Sequence, residues 1–130
     1  EDLTKIGYEK LKNTARFRDD IVAKEHVRNI LNACHHDGHS LMSQYAPFEY
    51  TWLSENLGLS FSGINVYDTC FAEIVLNDGL VQEDGHRLSA GMTNTMERYG
   101  IIPDAQLHNA VNDVRMMHQI YLKQIERFNR

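Results

Sequence analysis

At 130 residues, 42% of them hydrophobic, the chain has enough apolar content for one packed domain and too little length for two of ordinary size. No run nears the roughly 18 apolar residues that cross a bilayer, and the opening Glu1-Asp2-Leu3-Thr4-Lys5 lacks the apolar segment of a secretory leader, so a cytoplasmic location with no membrane partner is expected. A net charge of −5 is out of keeping with a domain whose whole surface binds nucleic acid, although a site that grips a few nucleotides through bound cations needs only a local positive patch.

The first twenty residues are polar and weakly periodic, and they read as an extension to a single domain spanning residues 1–130. From Ile21 the residues Val22, His26, Val27, Ile30, Leu31 and Cys34 keep the spacing of an amphipathic helix, which Asp37-Gly38 stops. Ser40 to Tyr45 reads as a short strand. Pro47 opens a second helix with Phe48, Trp52, Leu53 and Leu57 on one face and Gly58 at its end. Ile64 to Tyr67 is a second strand, running into a helix over Thr69 to Leu76. Asn77 to Arg87 is a loop, and Leu88 to Tyr99 a helix closed by Gly100. In the last helix Val114, Met117, Tyr121, Ile125 and Phe128 form the stripe expected to be buried. Helices alternating with strands predict an α/β fold with parallel strands, rich in helix.

Cys34 and Cys70 lie far apart without CxxC spacing and read as thiols. The run Cys34-His35-His36-Asp37-Gly38-His39 has the donor types zinc prefers, but adjacent ligands in a turn rarely close a tetrahedron, and a polar loop is the simpler reading. His26 and His118 read as surface or satisfied core residues, and Asp68 as a helix N-cap with Thr69. The remaining chemistry sits in His108-Asn109-Ala110-Val111-Asn112-Asp113. There the aspartate enters the first turn of the last helix, where the helix dipole favours it, and the histidine precedes it. An imidazole titrating near neutrality can take a proton from water while a neighbouring carboxylate holds a cation. The same spacing also fits a capping aspartate beside an exposed histidine.

The segment His108 to Tyr121 resembles the third motif of the DEDDh-type 3'-5' exonuclease superfamily, the group of the polymerase proofreading subunits and RNase T-like enzymes. Leu88-Ser89-Ala90 to Gly100-Ile101 resembles the helix and turn that lead into that motif. Tyr67-Asp68-Thr69 resembles the family's strand-end Asp-Thr, and Met42 to Glu49 its second motif. The resemblance implies an RNase H-like exonuclease fold acting on single-stranded nucleic-acid 3' ends with two Mg2+ or Mn2+ ions. It makes His108 the general base, Glu49 and Asp113 the metal ligands among the catalytic residues, and Phe48 the core residue anchoring Glu49. Glu49 and Tyr45 depart from the family's aspartate and asparagine. The first motif is missing, since no Asp-x-Glu occurs in the chain. The fold is therefore expected to be incomplete on its N-terminal side, with weak metal binding and a sheet edge that a homodimer or a partner chain would complete. A catalytically degenerate module of the same fold, binding nucleic acid or protein, is the rival expectation. A small helical interaction protein is a third.

Overall fold

The computed structural model describes residues 20–59, 63–78, 80–103 and 109–130. Seven elements follow one another: α1 (Ile21–Asp37), β1 (Leu41–Ser43), α2 (Ala46–Leu57), β2 (Val66–Asp68), α3 (Thr69–Leu76), α4 (Met92–Arg98) and α5 (Ala110–Phe128). The two strands lie side by side and parallel, joined through α2, so the described residues are helix-rich around a small sheet. Among them no helix is long and apolar enough to cross a membrane. The chain groups into two compact units, one of Glu1–Met42 and Ala46–Tyr67, the other of Ser43–Tyr45 and Asp68–Arg130.

In the first unit, the Asp20 carboxylate accepts the Ala23 N–H at 2.9 Å and supplies the N-cap of α1, a contact that stabilises by ~1 kcal/mol. The helix ends as expected, on Gly38 at φ +71°, a left-handed conformation that glycine adopts without penalty. Leu31 and Cys34 are its buried residues. The Leu41 N–H donates to the Asn65 carbonyl at 2.8 Å, which sets the register where the strands begin. The strand expected over residues 40–45 is shorter, Leu41–Ser43, because the chain turns at Tyr45.

The second unit holds the core: Met96, Ile101, Met116 and Ile120, with Met92 and Tyr99 packed against them. Each buried side chain of this size contributes ~1.5–3 kcal/mol. Two expectations need correction here. The helix expected from Leu88 begins only at Met92, after Gly91; Gly91 donates its N–H to Ser89 Oγ, a local turn that competes with helix. The stripe expected to be buried along α5 is displaced as well. Met116, Ile120 and Gln124 are sealed, whereas Val114 is 56% and Phe128 46% exposed. A buried polar partner on α3 draws α5 inward along a face that carries a glutamine.

That partner is Glu73. Helix α3 (TCFAEIVL) buries Thr69 and Glu73 one turn apart, and Phe71, Ile74 and Val75 face outward, so its polar side is inside. Fully buried, at 0% exposure, the Glu73 carboxylate would cost several kcal/mol if left alone. Its Oε1 accepts from Asn77 Nδ2 (2.9 Å), Arg98 Nη2 (3.2 Å) and Arg127 Nη1 (3.5 Å). Its Oε2 accepts from Tyr99 Oη (2.6 Å) and Gln124 Nε2 (3.1 Å). Arg127 also donates to Tyr99 Oη at 2.7 Å and to the Leu76 carbonyl at 3.0 Å, which closes the end of α3 onto α5. Burial pushes the Glu73 carboxyl up, and the bonds from Tyr99, Gln124, Asn77 and Arg98 outweigh it, so the carboxyl is held below its ordinary range.

Candidate functional site

Of the expected site residues, Glu49 and Asp113 are described. Glu49 stands in the first turn of α2, half-buried in the first unit. Phe48 beside it is 64% exposed, which corrects the expectation that it anchors Glu49 in a core; α2 turns that ring away from the packed side. Asp113 belongs to the second unit and lies half-buried in the first turn of α5. His108 lies outside the described residues.

Asp113 sits in the first turn at the N-terminus of α5. Asn109 supplies the cap: its side-chain oxygen accepts the N–H groups of Val111 at 3.2 Å and Asn112 at 3.4 Å. The Asp113 N–H closes the first turn on the Asn109 carbonyl at 2.9 Å. The side-chain cap is thus supplied by Asn109, and an acid in the first turn is also favoured by the helix dipole. The far half of the same helix is fixed to Glu73 through Gln124 and Arg127.

A second cluster forms where the two strands end. Asp68 caps α3 as expected, one carboxylate oxygen accepting the N–H groups of Cys70 at 2.9 Å and Phe71 at 3.1 Å. The same oxygen accepts the Tyr45 N–H at 3.1 Å. Thr69, nearly sealed, donates its hydroxyl to the Ser43 carbonyl and to Gln44 Oε1, and Gln44 Nε2 donates to the Ala90 carbonyl at 3.0 Å. Tyr45 sits at φ +70°, alone among the described non-glycine residues in that region.

The histidine-rich turn is open to solvent. His35, His36 and His39 are exposed, Cys34 is a buried free thiol, and His36 pairs with its neighbour Asp37 at 2.8 Å. His26 and His118 are exposed, as one of the two readings has them. Among the described residues no three His, Cys, Asp or Glu side chains lie together as a metal cage. Glu49 and Asp113 are two carboxylates, and the described residues thus do not by themselves fit a two-ion centre, which takes more oxygen ligands than these supply.

Two features of the second unit escape a reading by hydropathy. Tyrosine gives no signal for positive φ. The Glu73 network left one sign, a lone charged residue in the apolar run TCFAEIVL with arginines downstream at 98 and 127. Comparison with known proteins found no matching family model, no similar curated protein and no similar solved structure, so the functional reading rests on these residues.

Proposed function

We propose that the chain acts on single-stranded nucleic-acid 3' ends as a metal-dependent 3'-5' exonuclease of the DEDDh class with an RNase H-like fold. The observation that carries it is Asp113, in the first turn of a clamped helix whose cap is supplied by Asn109, with His108 five residues before it in the sequence. In this reading the His108 imidazole would take a proton from the attacking water, and Glu49 and Asp113 would contribute ligands to a Mg2+ or Mn2+ site that further oxygen ligands must complete, the ions supplying charge neutralisation at the phosphodiester. The cytoplasm is the proposed location, where free thiols such as Cys34 and Cys70 stay reduced. A second copy or a partner chain that extends the two-stranded sheet is the proposed source of further contacts.

One observation favours a second reading, a catalytically degenerate module of this fold that binds nucleic acid or a protein partner. The sequence holds no Asp-x-Glu.

The deciding experiment incubates 3'-labelled single strands of DNA and RNA with the full chain in Mg2+ or Mn2+, beside its Asp113→Ala and His108→Ala variants. Stepwise shortening that disappears in Asp113→Ala, and slows by about 100- to 10,000-fold in His108→Ala, is the expected result. Shortening that survives both changes refutes the assignment. Binding without shortening selects the second reading.

A further inference from the structure

We propose that Tyr45 and Phe71 form a stacking ledge for the base of the terminal nucleotide, an assignment whose occupant rests on the nucleic-acid reading above. The starting point is the backbone of Tyr45. At φ +70° its Cβ is crowded against its own chain, a conformation that side chains other than glycine, asparagine and aspartate rarely adopt. Such strain persists only where surrounding contacts over-determine it, and it collects at ligand sites.

Contacts that fix the turn are in view. Asp68 holds the Tyr45 N–H, and Thr69 and Gln44 tie the residues just before it to the start of α3 and to Ala90. The turn sets the Tyr45 ring against Phe71, with centroids 5.9 Å apart and planes at 73°. Both rings remain about half open to solvent, 50% for Tyr45 and 45% for Phe71. The outward position of Phe71 follows from the lock on the opposite side of α3, where Glu73 is fixed by five donors; turning the helix to bury Phe71 would pull that carboxylate out of its network.

The chemistry and the place of the ledge select its occupant. Tyr45 follows β1 and Phe71 follows β2, so both stand beyond the carboxyl ends of parallel strands, where ligands bind in open α/β sheets. The Asp68 oxygen beside them is taken up by three N–H groups, and the chain is acidic overall. Such a site offers little to a phosphate and much to an uncharged planar ring, which stacks on aromatic faces whatever its sequence identity. Tyr45 also comes four residues before Glu49 in the chain, the residue assigned above to the cleavage site.

The test measures binding of two fluorescently labelled oligonucleotides by anisotropy, identical except that one lacks its 3'-terminal base. The full chain is expected to bind the intact oligonucleotide about 5- to 150-fold more tightly, the factor contributed by stacking one base. Phe71→Leu, which keeps an apolar side chain and removes the ring, should erase that difference. Tyr45→Gly should erase it too while the melting temperature holds or rises, since glycine relieves the strained φ. Equal binding of both oligonucleotides by the parent, an undiminished difference in either variant, or a lower melting temperature in Tyr45→Gly overturns the ledge. The two proposals fail separately. Discrimination without shortening of any strand keeps the ledge and removes the exonuclease; shortening by a Tyr45→Gly chain that still discriminates does the reverse.

Discussion

Replacing Glu73 with leucine removes a side chain of similar length and leaves two guanidinium groups facing a hole. In the parent, Arg98 and Arg127 lie 3.2 and 3.5 Å from its Oε1, with 26% and 24% of their side chains exposed. Breaking a buried ion pair from one side costs about 3–5 kcal/mol. The orphaned donors of Tyr99, Gln124 and Asn77 would add ~1–3 kcal/mol each if no water reached them. The partial exposure of both arginines lets them turn to solvent and recover some of this, so the net expectation is a loss of ~3–5 kcal/mol. That is a large part of the roughly 5–15 kcal/mol that holds a domain of ordinary stability. Urea unfolding followed by far-UV circular dichroism is the assay: with a slope of about 1–3 kcal/mol per molar urea, the midpoint should fall by at least about 1 M. The conservative Glu73→Gln variant adds a pH test. Because the folded-state carboxyl is held below its ordinary value of 4.5, its contribution is complete above that value and is lost as pH falls through the lower, folded one. The parent should therefore lose stability progressively below about pH 4.5, and Glu73→Gln should lack that component of the acid limb. A Glu73→Leu chain within ~1 kcal/mol of the parent would refute the reasoning, since it would mean that the network contributes nothing net.

Tyr99 titrates at the other end of the scale: burial, helped by its bond to Glu73, pushes its phenol from 10.0 up to about 12, so the stability it adds is present below pH 10 and disappears as pH rises through 12. An ultraviolet absorbance titration should show one late tyrosine that is missing in Tyr99→Phe; titration of every tyrosine near pH 10 would contradict it. Asp68→Ala removes the cap of α3 and the tether of Tyr45 together, and should lower stability by ~1–2 kcal/mol, measured by thermal melting. The face of α5 is checked by a pair of variants: Ile120→Ala should cost ~2–5 kcal/mol and Val114→Ala less than ~0.5 kcal/mol, and a reversed order would restore the stripe read from hydropathy.

The elements themselves were legible in the sequence, because apolar spacing and the punctuation of Pro47, Gly38, Gly58 and Gly100 mark helices and turns directly. Their faces were less so. Along α5 the apolar residues Val114, Met117, Tyr121, Ile125 and Phe128 suggested one side; its ends, Val114 and Phe128, are exposed, and the sealed side is that of Met116, Ile120 and Gln124, because Gln124 and Arg127 answer an acid 51 and 54 residues upstream. Hydropathy scores a glutamine as surface, and it carries no information about a hydrogen-bond partner on a different helix. The same limit applied to Phe48, apolar yet exposed beside Glu49. Asp68 was legible as a cap because its partners are its immediate neighbours. Its third partner, Tyr45, is 23 residues away and is brought there by strand pairing.

The wiring of Glu73 also bears on how the chain is made. Its donors other than Asn77 arrive later in synthesis: Arg98 25 residues after it, Tyr99 26, Gln124 51 and Arg127 54. At ribosomal speed the interval between the acid and its last donor is about 3–10 s, during which α3 has a partly answered carboxylate on one side and an apolar flank of Phe71, Ile74 and Val75 on the other. A nascent helix in that condition is a natural client for chaperones, and the second unit closes only when its last partner has left the exit tunnel.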